Sequence, residues 1–374
     1  MKPSISRVVL LPCALALGGL GGCGGQVVTV LATADGGFGQ TGATSGSSSG
    51  AGGSGSSGTP SGSVDAGPAS RCGFAPDPGA GSAPVPSAAA DVVLTRIFRF
   101  LDDSSIVPPG IPAPPQVTAD WAGMWATSIL ESHLANKTEA PGLVRFLTTW
   151  LKVPAPDAGP SAARTWSLKL LDPSATLTTL LAGPTGDPHR IGILTDPQVL
   201  TQRGHISVRG QWMAANLFCV AVPDVPPGLP VSPRPPAGMT ERQQLESDVS
   251  PPLCISCHIP MDPPGDSLGH FDAMGNYRDL DNGSPVDSSG SLQSPLPMLK
   301  FTSIDDLAPQ LAVSCPVAQC FAKLVMTDAF AVPPGSMNPF TAEEANHVAN
   351  AFANSNFSIR ELVKAIVGTP SFLR

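Results

Sequence analysis

The most specific chemistry in the chain lies in Cys254-Ile255-Ser256-Cys257-His258. Two thiols three residues apart on one helical turn can reach the two vinyl groups of a haem. The histidine beside the second thiol then lies under the iron, which is the pattern of covalent c-type haem attachment. Pro251 and Pro252 precede the motif and Pro260, Pro263 and Pro264 follow it, so a stiff loop with a brief helical turn is expected. Other chemistries compete for the same residues. A thioredoxin-like redox disulfide between Cys254 and Cys257 would belong to a βαβ pattern, and none surrounds them. Zinc would need two further ligands at metal spacing; His258 and His270 are at hand, but no second cysteine pair is. The motif therefore favours haem c, with Cys254 and Cys257 as thioether residues and His258 as the proximal iron ligand. No Ser-His-Asp set, carboxylate pair or phosphate loop stands out elsewhere.

Bacteria attach c-type haem outside the cytoplasm, and the N-terminus points there. Lys2 and Arg7 precede the apolar run Val8 to Leu20, a charged n-region and an h-region of signal-peptide length. That run is too short and glycine-rich for a membrane span, which takes roughly 20 apolar residues. Leu20-Gly21-Gly22-Cys23 looks like a lipobox, so residues 1–22 are expected to be removed and Cys23 to carry lipid. Gly24 in place of aspartate after the cysteine resembles lipoproteins destined for the outer membrane; which side of it they face is left open. Residues 23–87 read as a tether, because the Gly/Ser/Thr/Ala run from Gly36 to Gly62 cannot bury enough apolar surface to offset chain entropy. A partner membrane, reached through several acyl chains, follows.

Around the motif the chain reads as mainly α, a loop-rich, irregular helical fold with a cytochrome-c-like haem-attachment segment. Val93, Leu94, Ile97, Phe98 and Leu101 recur at helical spacing, as do Trp121, Met124, Trp125 and Ile129, then Phe146, Leu147, Trp150 and Leu151. Ile191 to Gln202 suggests a short helix or turn leading into Val208 to Leu217. Thr341 with Glu344, and Ser358 with Glu361, form two capping boxes, each opening an apolar periodic run. Asp279, Asp281, Asn282, Gly283 and Asp287 depart from a calcium loop in their order and read as a solvated turn. The expected divisions are a helical module over 88–185, a central module with the motif over 186–295, and a C-terminal helical module over 296–374. A net charge of −8 without a long basic run argues against a nucleic-acid partner. Of eight cysteines, Cys13 falls in the signal; Cys72, Cys219, Cys315 and Cys320 remain as an even set for disulfides, with their pairing open on spacing alone.

The order of several short motifs is familiar. Gly192-Ile193-Leu194-Thr195-Asp196-Pro197, Val208-Arg209-Gly210-Gln211-Trp212 and Asn216-Leu217-Phe218-Cys219 precede the cysteine pair. Met261-Asp262-Pro263, Phe271-Asp272-Ala273-Met274-Gly275 with Arg278, and Pro285-Val286-Asp287-Ser288-Ser289-Gly290 follow it. The chain resembles the planctomycete-type cytochrome-c surface proteins, which also occur in myxobacteria and are built of modules of unknown function. Thr95 to Leu101 and Phe146 to Leu151 look like the preceding module, and Glu361 to Phe372 like the terminal one. Two departures stand out. The Gly/Ser tether replaces an N-terminal haem module of longer relatives, leaving at most one haem. Asp328-Ala329-Phe330-Ala331 stands where relatives usually carry a Gly-Arg pair.

The resemblance implies a Cys219–Cys320 bridge, rather than a local Cys315–Cys320 link, and an electron-transfer role with a redox protein partner. A surface lipoprotein that binds a partner or polysaccharide, its Cys254–Cys257 pair a plain disulfide, is the alternative. A peroxidase-like enzyme would need an open sixth position on the iron. For that position Met261 is too close to His258 in sequence; Met274, Met298, Met326 and Met337 are far enough along, with His270 as a rival. Met337, in Pro333-Pro334-Gly335-Ser336-Met337-Asn338-Pro339-Phe340, resembles the distal-methionine loop of small c-type cytochromes and is the expected ligand.

Overall fold

In a computed structural model of the chain, residues 71–74, 89–111, 114–154, 159–223, 235–249 and 252–374 are described. The signal segment, Cys23 and most of the tether lie outside these residues. Helix accounts for 54% of the structure and strand for 5%, so the fold is mainly α with irregular loops.

The first helices are α1 (Ala90–Asp102), α2 (Ala119–Asn136), α3 (Pro141–Leu151), α4 (Ala162–Leu170) and α5 (Leu177–Ala182). Then come a 3-10 turn over Ile193–Thr195, α6 (Pro197–Thr201) and α7 (Ile206–Leu217). The motif region contributes α8 (Glu241–Asp248), α9 (Pro252–His258) and α10 (Asp262–Asp266). Two short antiparallel hairpins follow, β1 (Leu280–Asp281) with β2 (Ser284–Pro285), and β3 (Gly290–Ser291) with β4 (Lys300–Phe301). The chain ends in α11 (Ile304–Ala312), α12 (Cys315–Ala329), α13 (Ala342–Asn354), α14 (Ile359–Val367) and α15 (Pro370–Leu373).

The apolar stripes of these helices meet in one contiguous core that runs from Val93 to Phe372 and draws on all three expected modules. An aromatic row forms part of it. Trp212 packs on Trp150 with ring centroids 5.4 Å apart, Trp150 on Phe321 at 5.5 Å, and Phe321 on Phe352 at 6.1 Å. Thr341 makes the reciprocal capping box with Glu344. Ser358 makes only half of one: its hydroxyl accepts from the Glu361 amide, while the Glu361 carboxylate turns to Lys364 Nζ at 3.0 Å. The Ser358 amide donates instead to the Ser355 hydroxyl at 3.3 Å.

In the acidic turn Asp279, Asn282, Gly283 and Asp287 are exposed as expected, and Asp281 departs from the expectation. Asn282 and Gly283 both take positive φ between β1 and β2, as a tight hairpin demands. Asp281 is buried there, accepting from Arg278 Nη1 at 2.5 Å and from the Glu241 amide at 2.6 Å. A guanidinium and a backbone amide, not solvent, satisfy it. Among the described residues no helix is long and apolar enough to cross a membrane.

Candidate functional site

Helix α9 begins at Pro252, whose fixed φ and missing N–H suit a first helical position. Cys254, Cys257 and His258 are half-buried and Met261 is buried, whereas Ile255 and Ile259 are each 40% exposed. Spacings of three and four residues put the two thiols and the imidazole on one face of α9, and Met261 follows in the turn after it. Both thiols are free, whereas Cys72–Cys315 and Cys219–Cys320 are bridged. The second of these is the pairing that the resemblance implies.

The ring of His258 is held from one side. Its Nδ1 stands 2.9 Å from each carboxylate oxygen of Asp262 at the start of α10. An ionised carboxylate only accepts, so Nδ1 carries the proton and donates, and in the neutral ring Nε2 keeps its lone pair. Ser207 Oγ donates to Asp262 Oδ1 at 3.2 Å, so the first turn of α7 supports the carboxylate. Burial pushes the Asp262 carboxyl above its ordinary range, against the pull of the His258 and Ser207 hydrogen bonds. On α7, His205 caps the helix through Nδ1 and its Nε2 lies 3.4 Å from Glu241 Oε1.

What brings α9 and α10 to this place is contact between α7 and α10 at backbone distance. A Cβ on Gly210 would lie 1.5 Å from the Met261 carbonyl oxygen, and one on Gly265 would lie 2.1 Å from that of Ile206. Two glycines facing each other let the helices touch without side chains between them. Arg209, 1% exposed, ties down the following loop by donating to the carbonyls of Arg203, Leu268, Phe271 and Asp272. Desolvation pulls its guanidinium down to about 10, still charged at neutral pH.

Beneath Asp262 lies a second carboxylate. Asp266 is 8% exposed, its Oδ2 sits 3.6 Å from Arg242 Nε, and its Oδ1 has no hydrogen-bond partner. Burial pushes its carboxyl up to about 7 despite Arg242, with Asp262, Glu246 and Asp287 adding to the rise. A folded-state value above the unfolded one means that the native state holds the proton more tightly. The stabilising contribution is then full below pH ~4 and is lost as pH rises through about 7. Asp266→Asn should therefore match the wild type in thermal stability near pH 4 and exceed it at pH 8. At about 1.4 kcal/mol per pKa unit, the gap is up to a few kcal/mol. Melting curves across pH 4–8 check this, and a constant offset would refute it.

The structure does not bring Met337 to the motif helix. Its side chain is 94% exposed, and its neighbours Asn338 and Phe340 line an open groove beside the Cys219–Cys320 bridge. Of the other methionines, Met326 is buried in the core, and Met274 and Met298 are exposed at 68% and 76%. His270 donates from Nδ1 to the Arg278 carbonyl, 2.9 Å away, and stacks on Tyr277. Sequence reasoning missed Asp262, Ser207 and the glycine pair. The available signals were an aspartate four residues past the histidine and a glycine in mid-helix.

Residues 190–281 match the family model PSCyt3, described as a protein of unknown function (DUF1588). It is a planctomycete cytochrome-c-like domain family, and the match spans α6 to α10, the motif and the first strand. This PSCyt3 region makes up about a quarter of the 374 residues. No curated protein and no solved structure matches the chain. Within the PSCyt3 region the residues suit haem c. Two free thiols and an imidazole share one helical face, and the carboxylate on Nδ1 leaves Nε2 for a metal. Among the described residues no group of three or more His, Cys, Asp or Glu side chains is arranged to hold a bare metal ion.

Proposed function

We propose that the chain is a mono-haem c-type cytochrome-like lipoprotein of the outer membrane that passes electrons to and from a redox protein partner. The observation that carries this reading is the His258 ring, fixed through Nδ1 with Nε2 left over, on the same face as the free thiols Cys254 and Cys257. Cys254 and Cys257 would hold the haem by thioethers and His258 would be the proximal ligand. The bound group supplies reversible one-electron chemistry. The protein's part is to fix the imidazole and to bury its hydrogen bond. The unbridged thiols favour this over the reading in which Cys254 and Cys257 form a plain disulfide. The match to a cytochrome-c-like family adds support. Anchoring through lipid on Cys23 rests on the sequence, and the tether would let the helical domain stand off the membrane.

One preparation tests both halves. The full chain is produced in a host with c-type haem maturation machinery, and its membrane and soluble fractions are compared by absorption. The wild type should show a Soret band and sharp reduced α and β bands that survive denaturation, and this colour should sediment with membranes. In Cys254→Ala/Cys257→Ala the covalent colour should vanish, and in Cys23→Ala it should move to the soluble fraction. A folded but colourless wild-type protein, beside a coloured control cytochrome from the same host, would overturn the haem assignment. Membrane-bound Cys23→Ala would overturn the anchor.

A further inference from the structure

We propose that Asp262 is a positioning residue that gives His258 anionic character and so lowers the reduction potential of iron bound at its Nε2. The inference rests on the haem reading above and adds to it the electronic tuning of the site. Both oxygens of Asp262 lie 2.9 Å from His258 Nδ1, so the ring proton faces a full negative charge rather than a neutral carbonyl dipole. A carboxylate in that position draws the proton towards itself, leaves more electron density on the ring, and makes Nε2 a stronger donor. A stronger donor favours the more positive oxidation state of a metal, and so does a negative charge fixed nearby. Burial amplifies both effects, since the side chains of His258 and Asp262 are only 22% and 16% exposed.

The hydrogen bonds and charges around this carboxylate favour its ionised form against the opposing effect of burial, and adjust its strength. Ser207 Oγ, 3.2 Å from Oδ1, donates to it and so withdraws some charge from the hydrogen bond to His258. His205 lies near enough to Asp262 to act on it electrostatically, and itself meets Glu241. Asp266, on the following turn, adds negative potential that opposes a second charge on Asp262 but is partly offset by Arg242. Two donors therefore converge on Asp262 in α10: Ser207 from α7 and His258 from α9.

That geometry makes two substitutions act in opposite directions. Asp262→Asn removes the charge and should shift the midpoint potential upward by at least tenfold in the oxidised-to-reduced equilibrium, about 59 mV for one electron. Ser207→Ala removes a competing donor from the carboxylate, concentrates charge on the His258 hydrogen bond, and should shift the potential downward. Asp262→Glu, which keeps the charge, should stay near the wild type. Optical redox titration of the haem-loaded full chain at fixed pH reads all three. A merely structural role would loosen the site in each variant and move the potentials the same way. Haem-loaded variants with wild-type potentials, or shifts of one sign for Asp262→Asn and Ser207→Ala, overturn the assignment while leaving the haem reading intact. If Asp262→Asn does not fold, the sign of the Ser207→Ala shift decides alone. A wild type that takes up no haem removes both.

Discussion

Replacing Gly210 by alanine should cost the domain at least ~3 kcal/mol, or prevent folding altogether, although alanine is the better helix former by up to ~1 kcal/mol in an ordinary helix interior. The reason is what the new methyl would meet. At Gly210 the added carbon would lie 1.5 Å from the Met261 carbonyl oxygen, 2.6 Å from its carbon and 2.9 Å from the Gly265 nitrogen. All three are backbone atoms, so no side chain can rotate away, and α7 and α10 would have to part. Parting them would also carry Asp262 away from Ser207 and disturb His258, so haem uptake should fall together with the melting temperature. Gly123 on α2 is the internal control. A Cβ there would meet only the flexible Lys364 side chain, at 3.6 Å, so Gly123→Ala should be neutral or mildly stabilising. A Gly210→Ala protein that melts with the wild type would show that the two helices are free to separate.

That contact also marks where sequence reasoning stops. The helices with clear apolar periodicity, such as α1, α3 and α14, were legible because a stripe at 3.6-residue spacing has one satisfactory solution, burial on one face. The cysteine pair and His258 were legible because covalent attachment fixes their spacing. Asp262 was harder to see. It follows His258 at i+4, but the chain leaves the helix between them, so the pairing depends on how α10 starts rather than on helical register. Ser207 is remote in sequence and is joined to Asp262 only by the glycine-to-glycine packing of α7 on α10. Met337 rested on a different kind of signal. A proline-framed loop was matched to a ligand loop by its composition, but composition does not say which way a loop faces, and this one leaves its methionine in solvent. Arg145 is similar to Ser207: its guanidinium joins Asp103 to the buried Asp328 at 2.9 Å, a link between α1, α3 and α12 that no local pattern announces.

Removing the two disulfides should reverse the order that loop length alone would give. In the chain-entropy account a bridge stabilises by restricting the unfolded chain, by ~5 kcal/mol for the Cys219–Cys320 separation of 101 residues and slightly more for the Cys72–Cys315 separation of 243. The folded state changes that order. Cys219 sits directly after α7 with a φ of +54°, and Cys320 is 3% exposed inside α12, so this bridge ties the motif region to the C-terminal helices in the core. Cys320 cannot leave without breaking packing, and Cys219, itself exposed, is held in place by the buried Leu217 and Phe218 just before it. Cys72, by contrast, lies in the described stretch Arg71–Phe74, which is held to α13 and the turn after it by a few exposed or part-buried bonds. They include Arg71 to Asn354 and Asn356, each at 2.9 Å, and Asn350 to the Phe74 carbonyl at 3.3 Å, beside the Arg71 guanidinium over the Phe357 ring at 4.8 Å and the packing of Cys72 and Phe74 on the edge of the core. Without its bridge that stretch can detach while the core stays folded, and the freedom it gains in the native state offsets much of the freedom restored to the unfolded one. Cys219→Ala/Cys320→Ala should therefore lose most of the ~5 kcal/mol, and Cys72→Ala/Cys315→Ala markedly less, in denaturant titrations of otherwise identical chains. Limited proteolysis should cut the second variant near Cys72 while its remaining helices resist. A larger loss for Cys72→Ala/Cys315→Ala than for Cys219→Ala/Cys320→Ala would mean that the N-terminal strap is part of the cooperative core.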